Sequence, residues 1–323
     1  MKKIIWISAL CASLFLNESV MAQKVKVPDV DKKTYNELNR LLEEEKYEEL
    51  EKKVRKNLEK KKSYTLLYFL AMSLYSQDKY NDEVKKAFED LISRGVYEFE
   101  ANSRLAVMYV EEKNYEKAKS YAIRAVEVGT EKKEELAKAY HNVGVCYEKI
   151  RDMKKAIAYY EKAIEINDAY HPAYLALGSN HYNLGNYGSA LEYMEKYMEK
   201  HPDVEKEKKI SILEIMSYSA SQIGNDEKVK KYAQIGLDND PKNKNFVHYL
   251  ADLYAEKGYW KNFAETWKSY YKNVSSDKEA PYWVGYAYGK MGNNNEATYW
   301  LKIAARNGNS DAQRILRSNG LSW

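Results

Sequence analysis

Chain breakers are scarce: 5 prolines and 14 glycines in 323 residues. That shortage argues against a turn-rich β architecture and for long helices. Cysteine is scarcer, with only Cys11 and Cys146. If the N-terminal segment is removed, Cys146 stands alone and no intramolecular disulfide can staple the fold. Beyond the N-terminus the chain lacks an apolar run of the roughly 18 residues needed to span a bilayer, and its mean hydropathy is −0.72. No transmembrane helix is expected in the mature chain. Neither charge sign dominates, at 52 Lys+Arg against 48 Asp+Glu. The two signs interleave, as in Glu131-Lys132-Lys133-Glu134-Glu135, which is the pattern of solvated helix faces. The most charged run, Glu43 to Lys62, carries both signs, so it is not a basic patch and gives no case for nucleic acid.

Catalytic and cofactor motifs are also missing. No GxxxxGK[ST], GxGxxG, HExxH, CxxC or GxSxG sequence occurs. The histidines His141, His171, His181, His201 and His248 form no ligand spacing. His141 and Cys146 lie five residues apart on one helix and point in different directions. No catalytic residue, metal site or cofactor is expected, and the chain is read as not an enzyme.

What the chain does contain begins with a segment of secretory type. Lys2 and Lys3 precede the apolar stretch Ile4 to Leu16, and Val20-Met21-Ala22 offers a cleavage site before Gln23. Residues 1–22 are therefore expected to be a signal peptide and 23–30 a linker. Two alternatives remain open. One is a buried first helix; the other is a lipoprotein signal at Cys11, although Leu10 stands where a small residue is expected.

Two consecutive 34-residue windows, Ala137–Tyr170 and His171–Val204, repeat one pattern. In the first, Tyr140, Val143, Gly144 and Tyr147 occupy positions 4, 7, 8 and 11, and Ala156, Tyr160 and Ala163 occupy 20, 24 and 27. The second places Tyr174, Leu177, Gly178, His181, Ala190, Met194 and Tyr197 at those positions and adds Pro202 at 32. Position 8 of seven clearer copies reads Ala71, Ala106, Gly144, Gly178, Ser217, Ala251 and Gly285. A uniformly small residue there implies a close approach between two helices. Gly185, Gly224, Gly258 and Gly292 share position 15, where the first helix of a pair must stop and turn. Extra residues fall near Thr130–Glu135 and Glu205–Lys209, predicting longer loops or extended helices.

This pattern resembles the tetratricopeptide repeat (TPR) family. The resemblance implies an all-α fold, a right-handed α-solenoid of about eight helix-turn-helix hairpins. Copies are expected near 31–63, 64–98, 99–136, 137–170, 171–209, 210–243, 244–277 and 278–311, with a C-terminal cap over 312–323. Tyr299 to Ala305 with Asn307-Gly308-Asn309 and Ala312-Gln313 resembles the Sel1-like variant of the hairpin.

In that family, positions 2, 5, 9 and 12 of the first helix line a concave groove. Carried over, they give Thr65, Tyr68, Met72 and Tyr75, then Glu100, Ser103, Val107 and Val110. The next units give Lys138, His141, Val145 and Glu148, then Pro172, Leu175, Ser179 and Tyr182. Tyr218, His248, Asp252, Tyr282 and Tyr286 follow downstream. Some of these tyrosines could equally pack between repeats. The family's carboxylate clamp finds only Asn142 of its residues here, so a clamp is not expected. Tyrosines with adaptable polar neighbours suit a protein or peptide ligand. The expected role is a scaffold or adaptor in the bacterial envelope, periplasmic, outer-membrane-associated or secreted. The alternative is a capture protein for peptides or cell-wall fragments. The sequence leaves the oligomeric state open.

Overall fold

The computed structural model describes residues 28–323. The signal-peptide expectation over 1–22 lies outside the described residues, as does most of the expected linker. Two compact units divide the chain at Ala173 and Tyr174.

The first unit contains α1 (Lys32–Glu43), α2 (Tyr47–Leu58), α3 (Tyr64–Ser76), α4 (Asp82–Ser93), α5 (Glu98–Glu111), α6 (Tyr115–Val128), α7 (Lys133–Lys149) and α8 (Met153–Ile166). Next, α9 (His171–Asn183) carries the division between the units. The second unit continues with α10 (Tyr187–Lys200), α11 (Lys206–Gln222), α12 (Asp226–Asn239), α13 (Lys244–Glu256), α14 (Trp260–Asn273), α15 (Ala280–Lys290), α16 (Asn294–Arg306) and α17 (Ser310–Ser318). Among the described residues every element is helical. Odd-numbered helices are the A helices of successive pairs, and even-numbered ones are the B helices.

One turn, used eight times, joins each A helix to its B helix. The position-15 residue takes a left-handed conformation: Glu45, Asp78, Lys113 and Arg151 in the first unit, and Gly185, Gly224, Gly258 and Gly292 in the second. Its N–H bonds to the carbonyl three residues back, as in Arg151 to Glu148 and Gly185 to Tyr182. The next N–H reaches five residues back, as in Asp152 to Tyr147 and Asn186 to His181. This double bond pattern is a Schellman motif, which satisfies carbonyls the helix end would leave unpaired. Asn114, Asp152, Asn225 and Asn293 at position 16 then accept from the backbone N–H three residues on and cap the B helix. Each such cap contributes on the order of 1 kcal/mol.

Position 8 supplies the close approach. A Cβ on Gly144 would lie 2.5 Å from the Tyr160 ring, one on Gly178 2.9 Å from Met194, and one on Gly285 2.9 Å from Leu301. All three partners stand at position 24, so the expected contact of A with B is present. The extra residues near 130–135 and 205–209 lengthen the A helices α7 and α11 to 17 residues, against 11–14 for the other A helices from α1 to α15.

Within the units, successive A helices touch: α1 with α3, α5 with α7, and α11 with α13. No two B helices of a unit approach each other comparably among the described residues. Within each unit some A helices therefore close on one another, while the B helices stand apart and leave troughs floored by an A helix. Asp29, within the stretch expected to be linker, is tied to the start of α3: its carboxylate accepts from the N–H groups of Tyr64 and Thr65 and from the Ser63 hydroxyl. Burial alone would raise this carboxyl, but those bonds hold it below the usual carboxylate range.

Candidate partner-binding surface

In the first unit the A-helix positions singled out from the sequence are largely closed by neighbours. Tyr68 stacks on Tyr97 with ring centroids 4.0 Å apart, and burial pushes its phenol well above the ordinary value. Met72 is buried. Tyr75 sits beneath the Arg104 guanidinium at 5.2 Å. His141 lies between Tyr160 at 5.1 Å and Tyr170 at 5.6 Å. Burial drives its pKa down to about 4, so the ring is neutral near pH 7. Val107 and Val145 are half-buried. Three buried polar atoms on α5, Glu100 Oε2, Ser103 Oγ and Arg104 Nε, have no hydrogen-bond partner.

The second unit is more open and more aromatic. Leu175 and Ser179 on α9 are half-buried. Tyr182 meets Tyr187 at 6.0 Å and Tyr218 at 5.7 Å, edge to face. Tyr187 and Tyr218 are 5.5 Å apart, and Tyr218 reaches Tyr249 at 6.4 Å. The hydroxyl contact with Tyr218 holds the Tyr187 phenol above its usual value. Glu214 beside this row accepts from the side-chain amides of Asn243 (2.7 Å) and Asn245 (3.1 Å). His248 stands edge-on to the buried Trp267 at 5.1 Å, and Asp252 is exposed.

A second aromatic group repeats the first two repeats further on. Tyr286 meets Trp260 at 5.9 Å and Trp283 at 5.7 Å. The Lys290 ammonium lies 5.3 Å from the Tyr286 ring and 5.9 Å from Trp260. Tyr286 is 37% exposed. With Tyr282 it lines a cleft of about 200 Å³ that includes Gly289 and Lys290 and is closed by Ile315 of α17. A Cβ built on Gly289 meets nothing within 4 Å, so there is room for a side chain at this position of the cleft lining.

The structure thus joins Tyr182 to Tyr218 and Tyr282 to Tyr286, and leaves Tyr68, Met72 and His141 packed against other rings or buried. Sequence reasoning missed Tyr187 and Trp260 at position 17, and Tyr249 and Trp283 at position 6. The signal was available: position 17 is aromatic in five repeats (Tyr47, Tyr80, Tyr115, Tyr187 and Trp260) and position 6 in three (Phe69, Tyr249 and Trp283).

Among the described residues no cluster of three or more His, Cys, Asp or Glu could hold a metal ion, and no helix is long and apolar enough to cross a membrane. Cys146 is buried and unbonded, and burial pushes its thiol up to about 12.

Residues 97–169 and 171–199 match the tetratricopeptide repeat. No curated protein sequence matches the chain. Among solved structures, the C-terminal part of a TPR repeat-containing protein from Cytophaga hutchinsonii is 18% identical with a TM-score of 0.56, covering 78% of this chain and 98% of its own. PilW, a widely conserved type IV pilus biogenesis factor, is 19% identical with a TM-score of 0.52, covering 67% and 98% respectively. Naa15/Naa10 bound to HypK-THB gives 14% identity and a TM-score of 0.58, covering 80% of this chain and 39% of that one. At these identities the likeness is one of fold: an all-helical TPR solenoid. Such repeats are generally non-catalytic scaffolds for protein interactions.

Proposed function

We propose that this protein is a non-catalytic adaptor that holds a peptide or protein partner on the A-helix face of residues 174–323. The observation that carries the reading is the repeated pairing of a position-17 aromatic with the position-9 tyrosine of the following repeat. Tyr187 with Tyr218 is one such pair and Trp260 with Tyr286 the other. Rigid aromatics that keep part of their surface in solvent are the side chains that anchor protein partners. The cleft beside Tyr286, at about 200 Å³, suits one large side chain rather than a free small molecule, whose sites run to roughly 300–1,000 Å³. At this cleft, that favours a side chain of a protein partner over a captured small molecule. We read its place as the bacterial envelope, supported by the secretory pattern of residues 1–22, and the last hairpin as Sel1-like on the residues already named.

The test is affinity capture with the tagged mature protein from envelope extracts, alongside a variant carrying Tyr182→Ala, Tyr218→Ala and Tyr286→Ala. The expected result is a specific partner held by the wild-type chain and lost by the variant at unchanged helicity. A partner that survives all three substitutions would move the site off this face. Intact-mass analysis of the exported protein checks the location: a chain beginning at Gln23 is expected, and a retained Met1 contradicts it.

A further inference from the structure

A second surface lies on the opposite, B-helix side of residues 174–323. The helices α10 and α12 stand apart there, and α11 floors the trough between them. The cavity measures about 540 Å³. Its walls are Met198, Leu213, Met216, Ile235 and the ring of Tyr232, so its interior is apolar. Two of these are methionines, whose unbranched thioethers adapt to varied apolar shapes.

The rim is cationic. Lys209, Lys228 and Lys231 line the cavity with a single carboxylate, Glu195. That carboxylate is already engaged: it pairs with the Lys228 ammonium at 2.6 Å and accepts from the Tyr232 hydroxyl. Among the described residues neither Lys209 nor Lys231 has a carboxylate partner of its own. Lys231 instead lies over the Tyr232 ring at 5.3 Å. Lys209 reaches the rim from the first turn of α11, the part contributed by the inserted residues 205–209.

One repeat further on, the equivalent trough between α12 and α14 has nearly the same size, about 480 Å³. Its rim has the opposite character, with Asp238 and Glu265 beside Asn262 and Asn273 and no lysine. The backbone therefore makes such troughs as a by-product of its packing, and the side chains give this one its sign.

We propose that the α10–α12 trough is a docking site for an acidic, amphipathic segment of a protein partner. A large apolar side chain of that segment seats on Met198 and Met216, and its flanking carboxylates meet Lys209 and Lys231. Charge complementarity selects an anion, because two cations stand unpaired over an apolar floor. The trough is open along its solvent side, so a free amphiphile would keep much of its chain in water. A segment presented by a folded partner closes the trough with its own surface and excludes that water. This site is independent of the A-helix face.

The test uses the mature chain with carbon-13-labelled methionine methyls and three probes: the peptide Ac-Glu-Leu-Trp-Glu-amide, its Lys-Leu-Trp-Lys counterpart, and decanoate. The acidic peptide is expected to shift the Met198 and Met216 methyl signals. Its affinity should fall about tenfold or more when Lys209→Glu and Lys231→Glu are combined. Lys231 is exposed and Lys209 half-buried, and unchanged helicity of the variant separates lost binding from lost folding. No shift at Met198 and Met216, or equal shifts from the basic peptide, overturns the proposal. Decanoate binding without peptide binding also overturns it, in favour of a free amphiphile.

Discussion

Both halves of the chain make the same A-to-B turn, yet they make it from different residues. Residues 28–173 place Glu45, Asp78, Lys113 and Arg151 in the left-handed conformation, with φ of 56°, 54°, 59° and 66°. Residues 174–323 place Gly185, Gly224, Gly258 and Gly292 there, with φ of 75°, 68°, 70° and 74°. A Cβ built on any of these four glycines meets nothing within 4 Å. No neighbour forbids a side chain, so the penalty for one is confined to the backbone, about 1–2 kcal/mol at each turn. The repeat demands a torsion rather than a residue type. The first half bears that strain four times, and the second half avoids it.

The largest effect is expected where the halves agree. Gly144→Ala in the first half drives its Cβ against the Tyr160 ring, and Gly285→Ala in the second meets Leu301 and the Ala297 carbonyl at 3.1 Å. Each should cost about 1–3 kcal/mol, read as a lowered urea midpoint; a neutral result in one half would break the equivalence of their frameworks.

Acid should separate the halves next. His141 has a folded pKa of about 4 against an ordinary 6.5. Between those values the unfolded chain takes up a proton that the folded chain refuses. Its contribution is therefore intact above pH 6.5 and declines as pH falls towards 4, by at most about 1.4 kcal/mol per pH unit. His141→Gln should flatten that part of the stability–pH profile, and an unchanged profile would assign the acid sensitivity elsewhere.

The turn residues themselves give the smaller effects, with opposite signs. Gly224→Ala should lower stability by about 1 kcal/mol through the backbone alone. Arg151→Gly should raise it by a few tenths of a kcal/mol to about 1, because relief of the left-handed strain is partly offset by a more flexible unfolded chain. Equal signs in the two experiments would refute the reading of the turn.

Legibility in the sequence followed the same physics. Position 8 could be read because a close helix approach constrains side-chain size, and Ala, Gly and Ser record that constraint directly. Only half of the turns could be read, because glycine advertises a left-handed torsion and Lys113 or Arg151 does not. The exposed aromatic face was partly legible. Tyr182, Tyr218 and Tyr286 sit at positions the family resemblance points to, whereas Tyr187, Tyr249, Trp260 and Trp283 join them only through packing between repeats. The enclosure of His141 by Tyr160 and Tyr170, and of Tyr68 by Tyr97, likewise depends on neighbours remote from the position itself. The hold of Asp29 on the start of α3 spans 34–36 residues, and no periodic pattern signals it.

Gly289 gives the most direct test of whether the A-helix face of residues 174–323 holds the partner. Gly289→Leu adds a large side chain at a residue that lines the cleft beside Tyr286, where a Cβ meets no neighbour within 4 Å. It also replaces glycine in a helix, which by itself should raise stability by up to about 1 kcal/mol. Binding of the captured partner, measured by titration calorimetry, should fall at least about tenfold for Gly289→Leu, with little change for Gly289→Ala and no loss of thermal stability in either. Full binding by a stable Gly289→Leu protein would contradict the claim.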